Sequence, residues 1–215
     1  MSPKFYCSFL ILFISVYFSF ASIFDDINWE YEKTYRSVNL YIQKNQTNNL
    51  NYYKAETIID GVKFDDLVND LMSFNTYDKI FPRTNFFKII KKVDENNCIV
   101  NADLNFFPYK NRNYYIECVS KKTKTSKDKN KFIVEWHPID SIKYASLIES
   151  CQDAKRINYT YGRWSVLELD KNKLYVSVEY HNDWETNLPM LFVYGAEKST
   201  IFTNVFSLLR YSKKK

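Results

Sequence analysis

Apolar residues recur at helical spacing near the end of the chain, at Leu191, Phe192, Ala196, Ile201, Phe202, Val205, Phe206 and Leu209. This stripe predicts one long helix over 188–211, with Pro189 suited to its first turn. About 22 residues rise roughly 33 Å, enough to cross a small domain, so the stripe must be buried against a sheet. Gly195 interrupts the pattern at a cost of about 1 kcal/mol relative to alanine, which points either to close packing on a strand or to a notch facing a ligand. Just upstream, 161–169 and 173–181 are rich in β-branched and aromatic residues, and 170–172 reads as a tight turn between them. These two form an antiparallel pair.

Earlier segments follow the same logic. Alternating apolar and polar positions over 37–42 and 52–59 predict a β-hairpin, Asp60-Gly61 ends it, and Phe64, Leu67, Val68, Leu71 and Met72 recur as one face of a helix. Residues 77–81 predict a short second helical turn. Strands are expected over 85–93, 98–106, 113–119 and 132–137, with turns at 94–97 and 108–112. Residues 25–33 read as a short acidic-led helix anchored by Trp29. Residues 139–155 show no clean period and are read as a connection over a pocket rim or as an irregular strand. Strands outnumber helices, and the class is α+β.

Composition changes this picture at the N-terminus. Lys4 precedes an unbroken apolar run over 9–14, and Ser19-Phe-Ala21 supplies small residues at a cleavage spacing, so 1–21 is read as a secretory signal peptide and 22–215 as a single domain. The alternative is an uncleaved anchor, because the run from Phe5 to Phe24 approaches bilayer-spanning length. Either reading places the protein outside the cytosol, secreted or periplasmic, or held at a membrane by its N-terminal helix. The formal charge of the 215 residues is +5, and Lys4 would leave with the leader. Much of the positive charge falls in 121–131 and 213–215, read as a solvated hairpin loop and tail that also suit transient contact with an anionic membrane surface. This mild basicity gives no support to a nucleic-acid partner. Cys7 lies in the leader, which leaves Cys98, Cys118 and Cys151; Cys98 and Cys118 are candidates for a cross-strand bridge, and no spacing resembles a zinc site.

The candidate chemistry is sparse. Arg112 and Arg163 are candidates to fix a carboxylate or phosphate head group through bidentate pairs, or to serve as salt-bridged structural residues. His137 and His181, the only histidines, fall at predicted strand ends and read as solvent-edge residues rather than general bases. Glu117 and Glu135 would face an interior only if the strand register shifted by one residue. Phosphate-binding glycine loops, nucleophile elbows and metal-binding helix motifs are absent from the sequence, so no cofactor, metal or catalytic residue is assigned and the protein is not read as an enzyme.

The order of these elements resembles the START domain, a lipid-binding module of the helix-grip superfamily. The resemblance is carried by Trp29 with 38–41, by 53–56, by the helix over 64–72, by 77–82, by Pro108 with Arg112 and Asn113, by 162–164, and by Leu188-Pro189. Asn113 departs from the pattern, in which an aspartate often follows the arginine. The resemblance implies a curved antiparallel β-sheet wrapped around a long C-terminal α-helix, with a cavity between them for a lipid or other apolar small molecule in a monomeric carrier. Alternating strand faces place Val100, Leu104, Phe106, Val134, Trp136, Val178 and Tyr180 on the concave side, and the helix would add Phe192 and Gly195. Arg112 and Arg163 would meet the head group. The residues alone leave a hollow interior and a filled one equally open. With a filled core, the protein would be an exported interaction module that binds a protein partner through its aromatic exterior.

Overall fold

Two consecutive residues with positive φ, Arg36 at 48° and Ser37 at 67°, turn the chain back near its start and join β1 (Glu30–Tyr35) to β2 (Val38–Lys44). A two-residue turn of this kind matches the twist of the strands it connects. The helix expected over 25–33 is therefore absent. Its second half is an edge strand paired with β2, where the Tyr31 and Tyr41 rings meet edge-on at 5.8 Å, so strand pairing outweighs the weak local helical preference. This computed structural model describes residues 22–44, 50–106, 109–149, 154–184 and 190–213. The expected leader at 1–21, Cys7, Pro108, Cys151, Leu188-Pro189 and the last two lysines lie outside the described residues.

The remaining elements follow the expected order. After β3 (Asn51–Asp60) come α1 (Phe64–Met72), the short α2 (Tyr77–Ile80), then β4 (Thr84–Lys92), β5 (Asn97–Leu104), β6 (Asn111–Lys124) and β7 (Asn130–Pro138). The chain closes with β8 (Ala154–Arg156), β9 (Thr160–Asp170), β10 (Lys173–Asn182) and α3 (Met190–Ser212). β6 is longer than its apolar pattern suggests, because Lys121, Lys122 and Lys124 still pair with β7 at the sheet's solvent end and only 125–129 form the turn. Its other end pairs with β8 in parallel, so the illegible stretch before β9 finishes as a short strand.

The strands form one sheet in the order β1-β2-β3-β10-β9-β7-β6-β5-β4. Both edges of this sheet reach the same helix. At one edge, Tyr35 of β1 packs its ring edge-on to Phe202 and Phe206 of α3 at 5.7 and 5.8 Å, and Glu32 pairs with Lys198. At the other, Arg83, just before β4, donates to Thr200 Oγ1 at 3.3 Å. A sheet whose two edges meet one helix must curl around it, and this is a helix-grip α+β architecture.

The expected apolar stripe of α3 turns inward over Ile201, Phe202 and Val205, with Phe206 and Leu209 packed partly buried on the core, but its start does not. Leu191 and Phe192, the start of the expected stripe, are 79% and 67% exposed. The buried line runs Val193, Glu197, Ile201, Val205, Leu208 and Ser212 at intervals of three and four residues, with Phe202 beside it and a glutamate in it. At its far end the Ser212 hydroxyl donates to the buried Asp70 carboxylate of α1 at 2.8 Å, fastening the two helices together.

Candidate functional site

The concave face is filled in one region and hollow in another. Leu174, Val176, Phe132, Val100 and Ala102 point inward as alternation predicts and belong to a continuous core with Leu67, Leu71 and Leu208. Past that core lies a cavity with about 130 Å3 of room for the centres of water-sized molecules, within about 1180 Å3 of atom-free space that extends to solvent. Rings make much of its wall, among them Phe87, Phe106, Trp136, Trp164, Tyr180 and Trp184. Arg83 and Asn105, both exposed, mark the opening.

Six of the sequence-predicted residues line this cavity: Leu104, Phe106, Val134, Trp136, Val178 and Tyr180. Five do not. Val100 is fully buried in the filled region. Phe192 is turned to solvent, and Gly195 is exposed with nothing within 4 Å of where a Cβ would stand, so neither close packing nor a ligand-facing notch accounts for it.

The two arginines are also placed elsewhere. Arg112 is buried, lies over the Phe106 ring at 4.5 Å, and donates Nε to the Trp184 carbonyl at 3.0 Å and Nη1 to the Lys110 carbonyl. It shares the inward face of β6 with Tyr114 and Ile116, and its guanidinium is held by the carbonyls and ring of the wall itself. Arg163 alternates with the inward Trp164 and so faces outward, where its guanidinium grips Glu179 at 2.6 Å and also meets Asp25 and Glu135. Asn113, in place of the common aspartate, donates to Asn101 Oδ1 at 2.8 Å and to the Ala102 carbonyl at 3.1 Å.

The polar centre of the site is a group that pattern reading passed over. Glu197 is 4% exposed and lines the cavity from α3. Its Oε1 accepts the Trp184 indole N–H at 2.8 Å, and the Tyr53 hydroxyl also hydrogen-bonds to the carboxyl. The Tyr180 hydroxyl donates to the Glu197 backbone carbonyl at 2.7 Å, which fixes this turn of the helix against β10. Burial raises the carboxyl to about 7, against the lowering effect of its two donors. Nearby, the Thr160 hydroxyl donates to the Asn182 Oδ1 at 2.6 Å, a second buried polar pair on the cavity wall. The only available signal for Glu197 was its position one turn after Val193 on an apolar helix, where hydrophobic periodicity assigns no role to a carboxylate.

Two other expectations change. His181 is not a solvent-edge residue: it is fully buried, stacked on Tyr52 at 3.9 Å, with Nδ1 3.0 Å from the Asn51 carbonyl, and burial lowers its pKa. It lies on the face of β10 opposite Tyr180, away from the cavity. Cys98 and Cys118 stand directly opposite each other on β5 and β6, both buried and both as thiols. Glu117 accepts from Asn97 at 2.7 Å, and neither it nor Glu135 lines the cavity.

This arrangement of a curled sheet around a terminal helix has counterparts among solved structures. A STAR-related lipid transfer protein from Xanthomonas axonopodis superposes with a TM-score of 0.71 at 16% identity, over 87% of this chain and 99% of that one. The fold is that of a START domain. Human STARD10 (TM-score 0.66, 15% identity, 85% of this chain and 74% of that one) and human StAR-related lipid transfer protein 5 (0.65, 12%, 88% of each) share it. At these identities the likeness is one of START architecture. No protein-family model matches the sequence, and no curated protein matches it.

Proposed function

We propose that this START-fold protein binds a lipid or another apolar molecule in the hollow between the antiparallel sheet and α3, and releases it unchanged. The observation that carries this reading is the aromatic wall around an unfilled interior beside a solidly packed core. Apolar surface withdrawn from water contributes about 25 cal/mol per Å2 before ordering costs, so a greasy ligand is the natural occupant of such a wall. Two of the structural counterparts are named for lipid transfer, which supports extending the reading from binding to carriage. Organic extraction and native mass spectrometry of the purified protein test it. A bound lipid-sized mass is expected; repeated recovery of bare protein, with no uptake of fluorescent fatty acids or sterols, would contradict it.

The proposal extends to location. The apolar N-terminal run supports export through a cleaved leader, with Ser22 as the mature start. N-terminal sequencing of the protein recovered from its native host tests this, and an intact Met1 would contradict cleavage. Lys121, Lys122 and Lys124, near the tip of the β6–β7 hairpin, support transient contact with anionic membranes, for which cosedimentation with anionic against neutral vesicles is the test.

A further inference from the structure

A buried carboxyl in an apolar cavity needs either a proton or a counter-charge. Glu197 has two hydrogen-bond donors from the protein, the Trp184 indole and the Tyr53 hydroxyl, both neutral. A carboxylate has about four acceptor positions, so about two remain. No lysine, arginine or histidine among the described residues forms an ion pair with it. The groups around it on the packed elements are Tyr53 of β3, Tyr180 of β10, Tyr194 one turn back on α3, and Arg83 at the opening, whose guanidinium is turned to Thr200. Burial raises Tyr53 and Tyr180, which keeps both hydroxyls neutral.

Resting on the apolar-ligand reading, we infer that Glu197 is the head-group anchor of the cavity and selects ligands that end in a primary ammonium. Such a head supplies three N–H donors and the missing positive charge together. A hydroxyl head would satisfy the acceptor positions without neutralising the charge, and a carboxylate head would be repelled. Glu197 is thus a specificity residue, and ionisation of its carboxyl controls the fit.

The test uses decylamine, decanol and decanoic acid, which share one tail and differ only at the head, competed against a fluorescent apolar probe. Wild-type protein is expected to prefer the amine over the alcohol by about tenfold or more at pH 8, the scale of a charge-assisted hydrogen bond. That preference should shrink as the pH is lowered to 6 and Glu197 takes up a proton. Glu197→Gln keeps an acceptor for Trp184, and is expected to erase the preference for the amine over the alcohol. Equal affinity for amine and alcohol, a preference for the acid, or an amine preference that survives Glu197→Gln would overturn the assignment while leaving the cavity reading intact. Failure of all three compounds to bind folded wild-type protein would overturn both.

Discussion

Trp136 of β7 lies flat over Gly162 of β9, its paired residue, so closely that a Cβ at 162 would sit 1.8 Å from the indole Cζ2. Glycine here makes room for a ring that forms part of the cavity wall. Gly162→Ala forces that ring aside, and overpacking of this kind costs about 1–3 kcal/mol. Urea unfolding should show a lower midpoint with an unchanged slope.

Gly195 predicts the opposite outcome. It sits inside α3 at ordinary helical φ, exposed, with open space where a Cβ would go. Gly195→Ala should raise stability by about 1 kcal/mol, the difference in helix propensity, and leave ligand binding unaltered. A destabilised variant would mean that the position contacts something.

Glu197 makes stability depend on pH in an unusual direction for an acid. Its ordinary value of 4.5 in the unfolded chain rises to about 7 in the fold. Below pH 4.5 both states hold the proton and the contribution is complete. Between these two values the unfolded chain releases the proton first, so stability falls as pH rises, by roughly 3 kcal/mol in all. Glu197→Gln should flatten this slope. Comparing the two proteins at each pH cancels His181, whose lowered pKa acts in the contrary sense at low pH.

On the outer face, Arg163 holds the buried Glu179 with two nitrogens, each 2.6 Å from the carboxylate. Burial still raises Glu179 above its ordinary range, so the pair is strained by desolvation even when intact. Arg163→Met leaves that carboxylate without its hydrogen-bonded cation, with Lys54 across the strand as its remaining positive neighbour. The change should cost about 3 kcal/mol at neutral pH, with most of the loss recovered in the Arg163→Met, Glu179→Met double variant. Thermal or urea unfolding of the three proteins checks it. Equal losses in the single and double variants would contradict the account.

Much of this architecture can be read from residue order, because strand alternation and helical spacing are set by local geometry. The hairpin at β9–β10, the helix over Phe64–Met72 and the inward faces of β7 and β10 are all legible in this way. β1 was not, since an exposed edge strand has no buried face to imprint a pattern on its sequence. The inward face of α3 was legible over Ile201, Phe202 and Val205 but not at its start, where apolar residues occupy both faces and Leu191 and Phe192 turn to solvent while Val193 is buried. The site divides along the same line. Its aromatic wall follows from alternation, whereas Glu197, Trp184 and Tyr53 come together only through the tertiary fold. Arg112 and Arg163 have the chemistry of head-group binders, but strand register turns Arg163 outward. Arg112, although on the inward face of β6 with Tyr114 and Ile116, is taken up by the Trp184 and Lys110 carbonyls and the Phe106 ring.

The central claim is that the hollow beneath α3 is where an apolar ligand sits, and Ala196, on its wall, offers a way to close it from the helix side. Binding of an uncharged fluorescent apolar probe by wild-type protein and by Ala196→Trp, with circular dichroism to verify the fold of each, is the most direct test. Saturable binding by the wild type and its loss in the folded variant is the predicted result. Equal binding by the two proteins would place the ligand elsewhere and contradict the account.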